Sequence, residues 1–560
     1  MKRAYQILVC VVVLTIIVLL SLKVLFFRID LTEDKRYSIA KSSKDVLNKV
    51  EDDIHIDIYL TDVDANITKL KHSVSDIIDE FSAYSASNVF YRYIDPSIAS
   101  DDKAREQNYL RLEAKGMTPI TVSTRDGSGK VSQSLLFPWA EVSIAGDTLP
   151  VCIMKPIGMK GGEESVNAAI EELEYNFIDA INILSKKSYD KIAFLEGHGE
   201  LGELETYSLS ESLSRYFQID RGEISEDASV ISDYKAIIIA KPMEEFSEKD
   251  KFVIDQYIMH GGKVVWLIDA IRYSTESLSQ SGQSPAMALD LNLQDMLFRY
   301  GVRIEPSVVQ DLQCLQMPVN VAMQGEPPMF EQVPYPYSPL LMTSPENPIT
   351  KNLMLVKSDF PSFVQQVSQE NGVSMELLLA SSPNSHVDIV PADINLKAIS
   401  SIDPESWINA QYVPIGVMLE GEFPSVFARR QVPEGLQNVL PRLDKSVRNK
   451  MLVVSDGDIA RNDLERSSNK QIGIVPLGLD RTNGQIYGNA NFLVNAILSM
   501  VDENSIVELR NRSVKLRLID KQKVSKQRIL IQTVNIILPI VVLMSIGAIF
   551  LYVRRRRYRK

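Results

Sequence analysis

The chain has 560 residues, too many for one ordinary hydrophobic core, so its length predicts two or three domains. Hydrophobic residues make up 45% and charged residues 24%, which excludes a mostly disordered chain and a membrane protein with many spans. All 72 Asp and Glu residues lie between Arg28 and Arg528, whereas cations also cluster at both ends, so the body is more acidic than the whole-chain net charge of −12. Such a body predicts no nucleic-acid partner.

Residues 7–27 form the first long apolar run, about the length that a helix needs to cross a bilayer. Lys2 and Arg3 precede it, as they would precede a cleaved signal peptide, but no pair of small residues follows as a cleavage site. We therefore predict an uncleaved signal anchor that forms a transmembrane helix, with residues 1–6 as a cytoplasmic N-terminus.

Residues 28–187 are predicted to form a small α/β domain. The run from Ile54 to Leu60 alternates between apolar and polar side chains, the period of a half-buried strand. A helix over 67–84 and a strand over 89–94 follow it. A helix over 163–184 carries an apolar stripe and closes the domain.

Residues 188–505 are predicted to form a larger α/β domain. Wholly apolar strands at 191–195, 236–240 and 264–268 alternate with helices at 204–216 and 246–259. This alternation is typical of a parallel sheet covered on both faces, a flavodoxin-like arrangement. The remaining predicted elements are strands at 376–380, 413–419 and 451–455 and a helix over 491–501.

Residues 312–348 interrupt this domain with a Pro-rich insertion. It holds Pro334, Pro336 and Pro339 close together, and proline lacks the N–H group that a strand ladder uses. We expect irregular structure here, as a long ordered loop or a lid over the sheet.

The C-terminal end returns to the membrane. Residues 506–528 are strongly charged and are predicted to form a stalk, and 529–553 form a second apolar run long enough to span a bilayer. The tail 554–560 is basic, so the positive-inside rule places both termini in the cytoplasm and the body outside it. Asn535 and Pro539 interrupt this run; a polar group and a helix breaker in lipid favour contact with a membrane partner.

No motif in the sequence predicts nucleotide hydrolysis. A phosphate-binding loop and a dinucleotide-binding fingerprint are both absent, and we expect no cofactor. The segment Ser455-Asp456-Gly457-Asp458 resembles a metal loop, but it lacks the further oxygen ligands of a calcium hand, so a turn is predicted and no metal.

One candidate site lies at the carboxyl edge of the predicted sheet. Glu196, His198 and Glu200 follow one strand and Asp269 follows a neighbouring one. Ligands of open α/β sheets bind beyond the carboxyl ends of strands, so these four residues are predicted to bind a ligand or dock a partner. Metal binding and acid–base catalysis would also suit them. The other histidines are scattered and no Gly-x-Ser-x-Gly nucleophile occurs, so we predict no catalytic residue.

Several short motifs in the same order resemble the gliding-motility-associated GldG family, which are auxiliary, substrate-binding-like components of ABC transporters. They are Asp30-Leu31-Thr32-Glu33-Asp34-Lys35-Arg36-Tyr37-Ser38, Gly197-His198-Gly199-Glu200, Leu419-Glu420-Gly421-Glu422-Phe423-Pro424-Ser425, Ser455-Asp456-Gly457-Asp458, Leu477-Gly478-Leu479-Asp480-Arg481 and Tyr487-Gly488-Asn489-Ala490-Asn491-Phe492-Leu493-Val494-Asn495-Ala496. The resemblance implies a non-enzymatic subunit in a bacterial inner membrane, with a periplasmic body, a permease subunit and a separate cytoplasmic ATPase as partners.

Two other functions stay open at this point. One is a periplasmic α/β hydrolase or amidotransferase-like enzyme that uses His198. The other is a structural protein that links the inner membrane to the cell envelope.

Overall fold

We describe the protein from a computed structural model. The structure describes residues 38–125, 131–154, 162–320, 322, 327–367, 372–399, 402–466, 472–501, 506, 509 and 528–557. The described residues through Leu509 belong to one compact unit, and those from Arg528 onward belong to a second. The predicted N-terminal anchor at 7–27 lies outside the described residues.

The N-terminal part of the body is an α/β layer with its own core. Its elements are α1 (Lys41–Leu47), β1 (Ile54–Ile58), α2 (Ala65–Tyr84), β2 (Val89–Tyr93), α3 (Asp102–Ala114), β3 (Ile120–Arg125), β4 (Val131–Leu136), β5 (Trp139–Ile144), β6 (Asp147–Cys152) and α4 (Gly162–Ser185). Four strands form a sheet in the order β2-β1-β5-β6, and β1 is parallel to β2 and antiparallel to β5. The inward side chains of β1 pack with α2 and α4, which explains the alternation at Ile54, Ile56 and Ile58.

The rest of the body is built on a ten-stranded sheet. The elements are β7 (Asp190–Glu196), α5 (Tyr207–Ser214), β8 (Phe217–Glu223), β9 (Ala236–Ala240), α6 (Glu248–Met259), β10 (Lys263–Leu267), β11 (Ile271–Arg272), α7 (Thr275–Ser281), β12 (Gln283–Ala288), α8 (Gln294–Tyr300), β13 (Val302–Glu305), β14 (Ser307–Asp311), β15 (Cys314–Asn320), β16 (Phe330–Thr343), β17 (Val356–Lys357), β18 (Phe363–Gln366), β19 (Ser374–Ala380), β20 (Ser385–Ile389), β21 (Ala392–Asn395), α9 (Pro404–Trp407), β22 (Pro414–Pro424), β23 (Lys445–Val454), β24 (Leu464–Arg466), β25 (Ile472–Ile474) and α10 (Asn489–Val501).

This sheet has a parallel half and an antiparallel half. Its order is β15-β16-β19-β22-β23-β10-β9-β7-β8, with β17 paired to β16. The strands from β23 to β8 are parallel, as predicted, whereas β22, β19, β16 and β15 continue the sheet with antiparallel pairings. The fold is therefore mixed α/β rather than parallel throughout.

Helices cover both faces of the parallel half. Along β9, Ile238 packs into a core with α5 and α10, while its neighbours Ile237 and Ile239 pack into a second core with α6 and α8. Successive side chains of a strand point to opposite faces, so a strand buried on both faces must be apolar at every position. This is why β9 reads as one continuous apolar run.

Most described residues of the Pro-rich segment lie in strands, contrary to the expectation of an irregular loop. They form the antiparallel pair β15 and β16, in which Gln316 lies opposite Pro334. Successive backbone N–H groups of a strand point to opposite edges of the strand. Pro334 and Pro336 are two residues apart, so the N–H groups that they lack would both have pointed to the same edge of β16. The other side of β16 is left to pair with β15, as prolines at a sheet edge allow.

Two described residues of the predicted stalk belong to the body. Ile506 and Leu509 are buried, 3% and 5% exposed, in the hydrophobic core of the N-terminal part. The folded body therefore continues to Leu509.

The second unit contains the helix α11 (Arg528–Arg557). Over Gln532–Arg556 it is long and apolar enough to cross a membrane, and it is the one helix of that kind in the described part of the chain. Asn535 and Pro539 lie one turn apart on it, and hence on the same face. This helix gives the chain a means of membrane association.

Candidate functional site

The loop after β7 is organised around His198. Gly197 and Gly199 both have positive φ angles, +111° and +73°, which L side chains rarely adopt. Glu200 accepts a hydrogen bond from the backbone N–H of His198 at 2.6 Å, and its other oxygen lies 3.2 Å from Nδ1 of the ring. The His198 carbonyl accepts from the N–H groups of Met243 and Glu244. The loop after β7 is thereby joined to the loop after β9.

A second carboxylate holds the other side of the His198 ring. Nε2 lies 3.3 Å from Oδ2 of Asp250, in the first turn of α6, and the ring stacks on Phe246 at 3.7 Å. Burial acts to lower the pKa of His198, but the hydrogen bonds with Asp250 and Glu200 outweigh it and raise the pKa to about 9. His198 is thus an imidazolium at neutral pH, with a carboxylate facing each ring nitrogen.

Glu196 does not join His198. Its carboxylate accepts from Nε of Arg221 on β8 at 2.7 Å. The same guanidinium donates to the hydroxyl of Thr206 and to the carbonyl of Leu201, so it ties β8 to the start of α5. Glu196 and Arg221 form a separate, partly exposed ion pair.

Asp269 belongs to a third group, the lysine–aspartate cluster of Lys241, Asp269, Asp456 and Asp458. These residues follow β9, β10 and β23 at the carboxyl edge of the sheet. Nζ of Lys241 lies 3.1 Å from Oδ2 of Asp269 and 2.5 Å from Oδ2 of Asp458. Oδ1 of Asp269 accepts from the N–H of Gly457 at 2.6 Å. Three strand ends are therefore tied together by one buried ammonium group.

The charges of this cluster are nearly balanced, because Nη1 of Arg461 also lies 3.2 Å from Oδ1 of Asp458. Burial acts to lower the pKa of Lys241, but Asp269 and Asp458 outweigh it and raise the pKa. Burial, with the charges of Asp458 and Asp269, raises the pKa of Asp456 well above its usual range. Asp456 accepts hydrogen bonds from the hydroxyl of Ser358 and from the backbone N–H groups of Asp359 and Asp458, rather than from a cation. It is therefore the cluster carboxyl that most readily holds a proton.

The three aspartates also have the spacing of a metal site. One oxygen from each of Asp269, Asp456 and Asp458 lies within 4.8 Å of the others. Oxygen ligands of this kind suit a hard cation such as Mg²⁺ or Ca²⁺. Lys241 already places a positive charge against two of these carboxylates, so the residues present fit an internal ammonium better than a metal ion.

A cavity of about 510 Å³ adjoins the cluster at Asp269. Its walls come from the end of β10, the segment before α8, α8 itself and β13, and they are mostly apolar. The lining residues are Ile268, Asp269, Ala270, Leu289, Leu291, Leu293, Gln294, Asp295, Leu297, Phe298, Arg299, Arg303, Ile304 and Pro306. The size is that of a small-molecule site.

The four residues predicted to share a site are thus divided among three places. His198 and Glu200 lie together, Glu196 pairs with Arg221, and Asp269 lies in the lysine–aspartate cluster. The sequence did not identify Asp250 as the partner of His198 or Lys241 as the partner of Asp269. Lys241 directly follows the apolar strand β9, and that position at the same sheet edge was the signal that could have found it.

The body is mixed α/β with a charged carboxyl edge, and one described helix is long and apolar enough to cross a membrane. The family model described as an ABC-type uncharacterized transport system matches residues 189–496, more than half of the chain. The chain belongs to this family of ABC transporter auxiliary proteins. A second model, described as a domain of unknown function, matches residues 33–143.

Two further comparisons give distant similarities. An uncharacterized protein of Borreliella burgdorferi (strain B31) is 22% identical over 431 residues, which cover 74% of this chain and 77% of that protein. The N-terminal domain of mmIFT52 is 13% identical, with a TM-score of 0.31, over 56% of this chain and 98% of that domain.

Proposed function

We propose that this chain is a non-catalytic, membrane-anchored, substrate-binding-like subunit of a bacterial ABC transporter of the gliding-motility-associated type. The match to the transport family over residues 189–496 is the observation that carries the proposal. The chain contains no phosphate-binding loop, so a separate cytoplasmic ATPase would supply the energy and a permease subunit the translocation path.

The proposed arrangement has two membrane helices, 7–27 and 529–553, in a bacterial inner membrane. Both termini would be cytoplasmic, and the body, in two α/β parts with a flavodoxin-like larger one, would be periplasmic. The apolar helix α11 supports the proposal that residues 529–553 span the membrane. The separate hydrophobic core of the N-terminal part supports a two-part body.

The surroundings of His198 favour binding or docking over hydrolysis. A nucleophilic serine is activated by a basic nitrogen within hydrogen-bond reach. Here both ring nitrogens face carboxylates, and the nearby Ser247 donates its hydroxyl hydrogen to Asp250 at 2.6 Å instead of to His198. In this arrangement His198 joins two loops at the sheet edge, and that edge, with Glu196, Glu200 and Asp269, is the proposed docking surface.

Asn535 and Pro539 are the proposed contacts with the permease. The side chain of Asn535 is exposed on α11, and an uncompensated amide in hydrocarbon is costly. Pro539 lies four residues further along the same helix. A partner helix on this face would satisfy both the amide and the carbonyl that proline leaves without a donor.

Co-purification of the full chain at native expression tests the proposal. We expect a permease and an ABC ATPase to be recovered with it, and Asn535→Leu to reduce their recovery while Ile537→Leu, a control on the same helix, does not. Recovery of the chain alone would contradict the proposal. Recovery with envelope proteins and without an ATPase would instead favour a structural link.

A further inference from the structure

The cavity beside Asp269 contains one charged side chain whose charge is not balanced. Asp269 pairs with Lys241 at 3.1 Å, and Asp295 lies 2.8 Å from both Lys251 and Arg430. Arg303 pairs with Glu305 at 2.7 Å. Among the residues that the structure describes, Arg299 has no ion-pair partner.

The remaining wall is built to contact an apolar molecule. Leu289, Leu291 and Leu293 lie in the segment between β12 and α8, and all three line the cavity. They are at most 9% exposed. Leu297 and Ile304 complete the apolar wall from α8 and β13. Burial of a ligand here would be driven mainly by the hydrophobic effect.

Phe298 and Arg299 extend this wall toward solvent. Phe298 is 53% exposed, and it follows the buried Leu297 on α8. Arg299 is also exposed, next to it. A long apolar molecule in the cavity could therefore keep a polar end near water while that end contacts the guanidinium.

From this geometry we infer that the cavity binds a small amphipathic anion, an apolar chain that ends in a carboxylate or a phosphate. A guanidinium recognises either group through paired N–H donors, and the apolar wall takes the chain. An anion is favoured at this point although the chain as a whole is acidic, because the three other charged lining residues are each neutralised locally. The inference rests on the proposed function only for the binding role of the body.

Photo-crosslinking tests this assignment on the full chain in phosphatidylcholine vesicles. The probes are palmitic acid and hexadecanol, each with a diazirine in its chain, and labelled peptides are mapped by mass spectrometry. Labelling of 528–557 reports probe dissolved in the bilayer and serves as the internal reference. We expect palmitic acid, more than hexadecanol, to label residues 289–306.

Arg299→Glu is the informative variant, because the side chain is exposed and its loss should not disturb the fold. We expect labelling of 289–306 by palmitic acid to fall about tenfold, the loss typical of one charge-assisted hydrogen bond. Labelling by hexadecanol should not change. Arg111→Glu, an exposed arginine on α3, is the matched control and should leave both unchanged.

Unlabelled palmitate and hexadecyl phosphate should both compete with the probe, and the stronger competitor identifies the preferred headgroup. The assignment is overturned if 289–306 is labelled no more than the rest of the body, or if Arg299→Glu affects acid and alcohol alike. The vesicles contain neither permease nor ATPase, so a failure here is distinguishable from a failure of co-purification.

Discussion

The protonation of His198 makes a quantitative prediction about stability and pH. The pKa of its imidazole is raised from about 6.5 to about 9 in the folded protein, because the contacts with Asp250 and Glu200 outweigh burial. A raised pKa stabilises the folded state fully below pH 6.5, and the contribution is lost as pH rises through 9. The shift corresponds to about 3 kcal/mol, since one pKa unit is worth about 1.4 kcal/mol.

Urea unfolding followed by tryptophan fluorescence can measure this loss. Trp266 is fully buried on β10, in the same sheet as the strand that precedes His198, so its emission should report unfolding of this part. The test compares the free energy of unfolding at pH 6.0, 7.5 and 9.5 in the wild type and in His198→Gln, which cannot gain a proton. The wild type should lose about 3 kcal/mol more than the variant over this range.

The control is His260→Gln, since His260 is an exposed histidine that bonds to the carbonyl of Pro441. It should keep the wild-type dependence on pH. If the wild type and His198→Gln have the same slope between pH 6.5 and 9, the contacts with Glu200 and Asp250 do not hold His198 as an imidazolium, and the argument against a basic His198 fails.

Three further substitutions test other parts of the sheet edge. Lys241→Met should cost about 3–5 kcal/mol, because it leaves the buried Asp269 without its cation. Mg²⁺ or Ca²⁺ should restore part of the urea midpoint, because three carboxylates lie within 4.8 Å; an unchanged midpoint would contradict the cluster's role. Gly457→Ala should cost about 1–3 kcal/mol, measured in the same way, because its Cβ would lie 2.5 Å from Cβ of Lys241. Gly222→Ala is the control, because its Cβ would meet open space and its φ, like that of Gly457, is not in the left-handed region. Asp255→Leu should cost about 3 kcal/mol, because Tyr300, Ser425 and the N–H of Val426 all donate to this buried carboxylate. A loss no larger than that of the exposed control Asp233→Leu would refute this.

The parallel half of the fold was predictable because burial on both faces imposes a simple pattern. Every position of β9 and β10 from Ala236 to Ala240 and from Val264 to Leu267 is apolar, and helices lie between such strands. The antiparallel half was harder to predict. Strand β16 holds Pro334, Pro336 and Pro339, and local propensity argues against a strand unless one side of it is known to be unpaired.

The position of the candidate site at the sheet edge could be predicted from the sequence, but the contacts between its residues could not. The rule that ligands bind beyond the carboxyl ends of parallel strands led to Asp269 and His198, which do lie there. Which carboxylate faces which cation depends on strand order and side-chain direction. Asp250 lies 52 residues from His198 and Asp458 lies 217 residues from Lys241, and no local pattern links either pair.

The lysine–aspartate cluster and the cavity share Asp269, and this fixes how an anion would lie. A carboxylate end placed toward Asp269 would face a buried like charge whose cation, Lys241, is already engaged with Asp458. The anionic end should therefore lie toward Arg299 and the apolar chain toward Ile268 and the leucines. A diazirine next to the carboxylate should label α8, whereas one near the methyl end should label residues 289–293 or Ile268. The reverse pattern would mean that the cluster attracts the anion and that its charges are not balanced.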